Sequence, residues 1–214
     1  MKHTVTVISV FILILQGSCK IEATFDTPQP ENEKSIASFP KHLLGEYSDS
    51  QHLSILTISN KLITRHFEFD YKEHKDSVSS LYRLIGDTLI DTESGRKEKI
   101  VLEGDSIIRH ENSIDTIFYL SGNNLLKKYK GFYFLNIKYN ELGWEVKKLS
   151  LKKGVLTIGS VSGKDDMQKL EEITETPSDT FPIMFSLTKR QFKKFVKEKG
   201  FSSQLVFTRI LRGN

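Results

Sequence analysis

The sequence predicts a mainly β fold, an antiparallel meander that closes into a barrel or packs as a sandwich, with two short helices in the C-terminal half. Three observations carry this expectation. One pattern recurs at an 18-residue spacing: LYRLIGDTLI from Leu81, KIVLEGDSII from Lys99 and IFYLSGNNLL from Ile117. Each copy places a leucine two residues before a glycine, then Asp or Asn, then two apolar residues. Gly-Asp and Gly-Asn supply the positive φ that tight hairpin turns require, and the flanking residues are strand formers. Looser versions stand at ISNKLI (Ile58 to Ile63) and LKKGVLTI (Leu151 to Ile158). Five such signals describe a meander of strand, turn and strand rather than a solenoid. Helical periodicity replaces the strand pattern only near the C-terminus.

Taken from the N-terminus, Lys2 and His3 precede an apolar run from Val5 to Leu15, which is followed by Gly17, Ser18 and Cys19. The run is too short to span a ~30 Å hydrocarbon layer and has the proportions of a signal-peptide core. Cys19 is the only cysteine in the chain. An exported protein with one thiol cannot form an internal disulfide, so the thiol calls for another use. Leu15, Gly17, Ser18 and Cys19 resemble the processing signal of bacterial lipoproteins, although Gln16 stands where that family usually has an aliphatic residue. The resemblance implies cleavage after residue 18, lipidation of Cys19 and anchoring in the bacterial cell envelope, at the outer membrane. Two or three acyl chains, each buried methylene contributing ~0.8 kcal/mol, would hold the protein on a membrane without crossing it.

Residues 19–38 are polar, contain Pro28 and Pro30, and carry few large apolar side chains. They read as a flexible tether, with the fold starting at Phe39 and Pro40. Beyond it, Leu43 to Tyr47 (LLGEY) and Lys130 to Phe134 (KGFYF) each set a Gly-x-aromatic opening ahead of a hairpin. This echo suggests two β modules, 39–128 and 129–214, or one barrel with two similar halves. The Gly-Glu-Tyr opening and the repeated Leu-x-Gly-Asp hairpins resemble small lipocalin-like envelope lipoproteins, with Tyr47 where lipocalins carry tryptophan. That resemblance implies a lipocalin-like barrel and a small lipophilic ligand.

Two helices are expected in the second half. Gly163 to Glu175 carries Met167, Leu170 and Ile173 on one face among five acidic residues. In LTKRQFKKFVKEKGF, Thr188 and Gln191 form a capping box, Phe192, Phe195 and Val196 share a face, and Gly200 marks the stop. The segment SQLVFTRIL then reads as a closing strand.

Charge is unevenly placed. Residues 1–122 hold 13 Lys/Arg against 18 Asp/Glu, whereas residues 123–214 hold 18 against 9. Such asymmetry is made by a basic face toward an acidic partner or lipid headgroups, or by a lysine-rich solvated surface, which is the expected reading; no nucleic-acid partner is expected. No Gly-rich phosphate loop, HExxH, CxxC or GxSxG occurs, so no catalytic, cofactor or metal residues are assigned. His42, His52, His66 and His74 cluster in the first half, with His110 further on, but their spacings match no ligand motif. Glu68 and Asp70 would face one side of a strand as a glycosidase pair does, yet the polar face of a sheet makes the same pattern. Trp144 and Tyr139 are read as core filling between sheets rather than a sugar platform. The expected function is therefore a non-catalytic envelope lipoprotein whose β domain binds a lipophilic ligand or a partner protein. The competing expectation is a hydrolase acting on envelope polymers or glycans.

Overall fold

A computed structural model describes residues 23–50, 53–175 and 183–211. In chain order these form β1 (Ala23–Phe25), β2 (Ser35–Ile36), β3 (Gly45–Ser48), β4 (Ser54–Ile58), β5 (Leu62–His74), β6 (Tyr82–Ile85), β7 (Thr88–Asp91) and β8 (Lys97–Lys99). There follow β9 (Val101–Glu103), β10 (Ser106–Tyr119), β11 (Asn124–Tyr129), β12 (Phe132–Lys138), β13 (Trp144–Lys152) and β14 (Val155–Ser160). The chain closes with α1 (Gly163–Thr174), β15 (Ile183–Phe185), α2 (Lys189–Lys197) and β16 (Ser203–Arg209). Thirteen strands form one sheet, eleven of them in the order β2-β11-β12-β13-β14-β16-β3-β4-β5-β10-β9, with β1 attached to β13 and β15. Strands β6, β7 and β8 make a separate small sheet.

The mainly β, antiparallel expectation holds, and its turn chemistry is visible residue by residue. Gly86 and Gly104 each adopt φ +58° at the first position of a two-residue loop, joining β6 to β7 and β9 to β10. Lys153 and Gly154 both take positive φ between β13 and β14, as a type I′ turn requires, and Lys130 and Gly131 do the same between β11 and β12. The third copy of the repeat departs from the others. Leu120 to Asn123 link β10 to β11, which do not pair, and Gly122 is outside the positive-φ region. Strand β10 stays bound to the β5 side, the Leu120 amide donating to the Lys61 carbonyl at 2.7 Å, while β11 pairs with β12 and β2.

This gap keeps the sheet from closing into a barrel. The sheet curls, because β16 at one side pairs with β3 at the other, but it remains open along the seam between β10 and β11. The arrangement is sandwich-like, two walls facing each other across side chains. The two Gly-x-aromatic segments also play different roles: Gly45 opens β3, whereas Gly131 sits inside a turn. Modules 39–128 and 129–214 contribute to the same sheet and the same core.

That core lies on the concave side, where Tyr47, Leu56, Ile63, Phe118, Leu126, Leu135, Leu149, Leu156 and Phe207 are almost fully buried. Tyr47 donates from its hydroxyl to the Leu43 carbonyl at 2.7 Å, and the Arg209 guanidinium lies 5.0 Å from its ring centroid. A second core occupies the back of β12 and β13. There Phe25, Phe134, Val146, Leu170, Phe185, Phe192, Phe195 and Phe201 pack between the sheet and both helices. Residues 133–136 of β12 are buried without a break, alternating between the two cores. A strand buried on both faces reads as a continuous apolar run, as FYFL (Phe132 to Leu135) does.

Both helices form where expected. Thr188 Oγ1 accepts from the Gln191 amide at 3.3 Å and Gln191 Oε1 accepts from the Thr188 amide at 2.9 Å, completing the capping box. Gly200 follows because a Cβ there would meet the Phe195 ring at 2.4 Å.

The tether expectation is corrected. Residues 23–25 form the buried strand β1, parallel to β15, and Ser35–Ile36 pair with β11. Between them Gln29 is fully buried: its amide and the Asn136 Oδ1 lie 2.5 Å apart, and Asn136 Nδ2 returns a bond to the Gln29 carbonyl at 2.9 Å. Lys127 Nζ donates to the Pro28 and Pro30 carbonyls at 2.6 and 2.9 Å. Polar composition alone suggests disorder, but here the backbone groups are satisfied by side chains about a hundred positions away.

Phe195→Ala should lower the stability of the fold by about 3–5 kcal/mol in denaturant unfolding, on the scale of other buried aromatic truncations. In the same assay Gly104→Val should cost more than Gly122→Val. Only the first forces a β-branched residue into left-handed backbone, at about 1–2 kcal/mol, and neither Cβ meets a neighbour within 4 Å.

Candidate functional site

Strands β5 and β10 are long, 13 and 14 residues, and only part of their length belongs to the body. Strand β4 covers β5 from Ile63 to Phe67; from Glu68 to His74, β5 pairs with β10 alone. Seven residues at about 3.4 Å each project a ribbon of about 24 Å from the body. At its end β6, β7 and β8 pack on a small core of Leu89, Ile100 and Ile107, flanked by Val78, Tyr82 and Leu84. A bare two-stranded ribbon is marginal in water, so this tip and the ribbon's side chains must stabilise it.

The face of β5 that buries Ile63 in the concave core continues outward with period two through Arg65, Phe67, Phe69 and Tyr71. Arg65 ends the core: its guanidinium lies 4.3 Å from the Phe67 ring centroid and 5.4 Å from that of Phe207. Phe69 and Tyr71 follow with centroids 6.2 Å apart, and both are half-buried. Opposite Tyr71 stands Arg109, 5.5 Å from the Tyr71 centroid and 4.8 Å from that of Tyr82. Arg109 donates to both oxygens of Glu98 at 3.0 and 2.7 Å and to Glu73 at 3.3 Å, tying the tip to the ribbon. The Glu98 bonds hold its guanidinium pKa above the ordinary value. Aromatic rings and guanidinium groups on one accessible strip are the side chains that anchor protein interfaces.

A second concavity lies along the open seam. It is a cleft of about 410 Å³ lined by Asp115, Ile117 and Tyr119 of β10, Asn124 of β11, Ile137 of β12, Tyr139, and Glu145 and Lys147 of β13. Glu145 pairs with Lys147 at 3.2 Å. Burial, then the charge and hydrogen bond of Glu145, raise the Tyr139 pKa. The cleft is open and lined by polar and apolar groups alike, unlike an enclosed apolar pocket for a lipophilic ligand, and the concave side of the sheet is filled by its own side chains.

The residues singled out from sequence do not converge. Glu68 and Asp70 are exposed on the opposite face of the ribbon from the aromatic strip, where His110 Nδ1 lies 2.8 Å from Asp70 Oδ1. His66 Nε2 contacts Asn112 Oδ1 at 3.1 Å, His74 Nδ1 accepts from the Asp76 amide at 3.2 Å, and His42 lies beside Tyr133. Among the described residues no three His, Cys, Asp or Glu are grouped to hold a metal ion. Trp144 packs against the second core with Lys138 Nζ 5.0 Å from its ring, while Tyr139 borders the seam cleft. Cys19, the leading segment 1–18 and His52 lie outside the described residues. Sequence reasoning missed Arg65, Arg109 and the seam residues other than Tyr139. The alternation in FEFDYKEH and in IIRHENSI, on either side of two hairpin signals, was the available sign of a ribbon.

Comparison with family models, with curated proteins and with solved structures finds no match to this chain.

Arg109→Ala should free the tip from the ribbon. Hydrogen exchange should then speed up across residues 82–100 while protection of β12 and β13 stays as it was. A separate expectation concerns pH. Burial opposes the charge on Asp49, but bonds from Ser54 Oγ at 2.6 Å, the Leu53 amide at 3.0 Å and Arg65 at 3.3 Å outweigh it and lower its pKa. A depressed folded-state pKa adds stability that is present above the unfolded value of about 3.9 and fades as pH falls through the folded one. Asp49→Ala should therefore cost about 1–3 kcal/mol in unfolding at pH 7, and the gap to the parent protein should shrink under strongly acidic conditions.

Proposed function

We propose that this protein is a non-catalytic envelope lipoprotein, held at a membrane by lipid on Cys19, that binds a partner protein through its projecting arm. The observation that carries the reading is the strip of Arg65, Phe67, Phe69, Tyr71 and Arg109, which extends a core-facing surface beyond the body. Nothing in the two main cores needs that extension. A filled concave side supports a protein partner over a small lipophilic ligand. The hydrolase alternative draws no support from Glu68 and Asp70, which share the exposed face of the ribbon, because Trp144 packs against the second core instead of joining them.

Two measurements check the reading. Cys19→Ala should abolish metabolic labelling with a fatty acid, and unchanged labelling would end the lipoprotein claim. A photo-crosslinking residue at Phe69 or Tyr71 in the full chain should capture one and the same protein, and the same residue at exposed Val155 should not. Glycan adducts in place of a protein, or equal capture from Val155, would overturn the arm as the binding surface.

A further inference from the structure

The burial of β1 bears on where the body sits. With Ala23 already in the sheet, only three residues separate it from Cys19, and that stretch of chain spans at most about 14 Å. If Cys19 carries lipid, the body cannot stand off the bilayer. The layer nearest the headgroups is then the one that contains β1, namely β15 and the two helices behind the second core.

That layer carries a basic surface. Helix α2 turns Phe192 and Phe195 inward and leaves Arg190, Lys193, Lys194 and Lys197 exposed. Residues 189–199 hold six basic side chains and one acid, Glu198. A cluster of exposed basic residues is what an anionic headgroup layer attracts. Helix α1 bears Asp165, Glu172 and Glu175 outward, so an anionic surface selects the α2 side of the layer.

We propose that the outer face of α2 rests on an anionic lipid surface when the protein is anchored. This rests on the lipoprotein reading above. It also sets the far wall of the body, from which the arm springs, on the side of the concave core away from the helices.

The chain has a single tryptophan, Trp144, whose backbone pairs with Phe25 of β1, so it reports on this side. The mature acylated protein would be reconstituted into vesicles of phosphatidylcholine with or without phosphatidylglycerol, each containing a dansyl-labelled headgroup, and energy transfer from Trp144 recorded. Transfer should be stronger on the anionic vesicles, and should fall in high salt as screening shortens the reach of the field. It should also fall when Arg190, Lys193 and Lys197 are changed together to Glu, with the melting temperature kept within a degree or two because these side chains face water. Transfer that ignores lipid charge, salt and the triple substitution in protein shown to be acylated would overturn the membrane-facing surface alone. Loss of fatty-acid labelling on the parent chain would instead remove the anchor, and this proposal with it. Salt provides the same test without any substitution, so a misfolded variant does not spare the idea.

Discussion

The structure depends on burial of β12 on both faces. Tyr133 and Leu135 belong to the concave core, Phe134 to the core under the helices, and Asn136 receives the Gln29 segment on that second side. Without this shared wall the curled sheet and the helical layer would have no common surface. Burying a strand twice also removes water from its backbone, which suits a strand hydrogen-bonded on both edges, to β11 and to β13. The polar exception, Asn136, is tolerated because its amide is engaged by Gln29, by the Leu125 carbonyl and by the Phe134 carbonyl.

From that wall the rest follows in layers. Helix α2 contributes its Phe192 and Phe195 because the capping box sets where the helix starts and Gly200 lets the chain turn tightly over Phe195. Buried Asp166 joins the start of α1 to the segment that leads into β16, accepting from the Ser202 amide at 2.7 Å and from the Ser162 amide at 3.3 Å through the same oxygen. On the concave side the walls meet at β16 and β3 but not at β10 and β11, and the consequence is a cleft rather than a closed barrel.

The arm is built on a different principle. Beyond Phe67 it has little core of its own, and it is held by cation–aromatic stacking and by the Arg109 ion pairs. Partly buried, bidentate arginine pairs of this kind stabilise more than exposed ones, because the geometry is fixed and water is partly excluded. A surface so made keeps its shape while leaving the aromatic strip half-buried and partly open to solvent.

The sequence alone determined what depends on near neighbours. Strand and helix type, the Gly86 and Gly104 turns, the Thr188–Gln191 cap and the inward face of α2 all follow from residues a few positions apart, where local geometry and side-chain periodicity act. It also supplied the expectation of a lipid anchor at Cys19, which lies outside the described residues. Tertiary structure decided everything that rests on distant pairing. The Gly122 turn looks like its two counterparts but spans an open seam, because hairpin chemistry permits a turn and only the strands' other partners decide whether its arms pair. Residues 23–38 read as a tether since composition does not show that Asn136 and Lys127 will satisfy their backbone. Arg109 and Tyr71 come together through register across 37 intervening positions, a relation that no local pattern encodes.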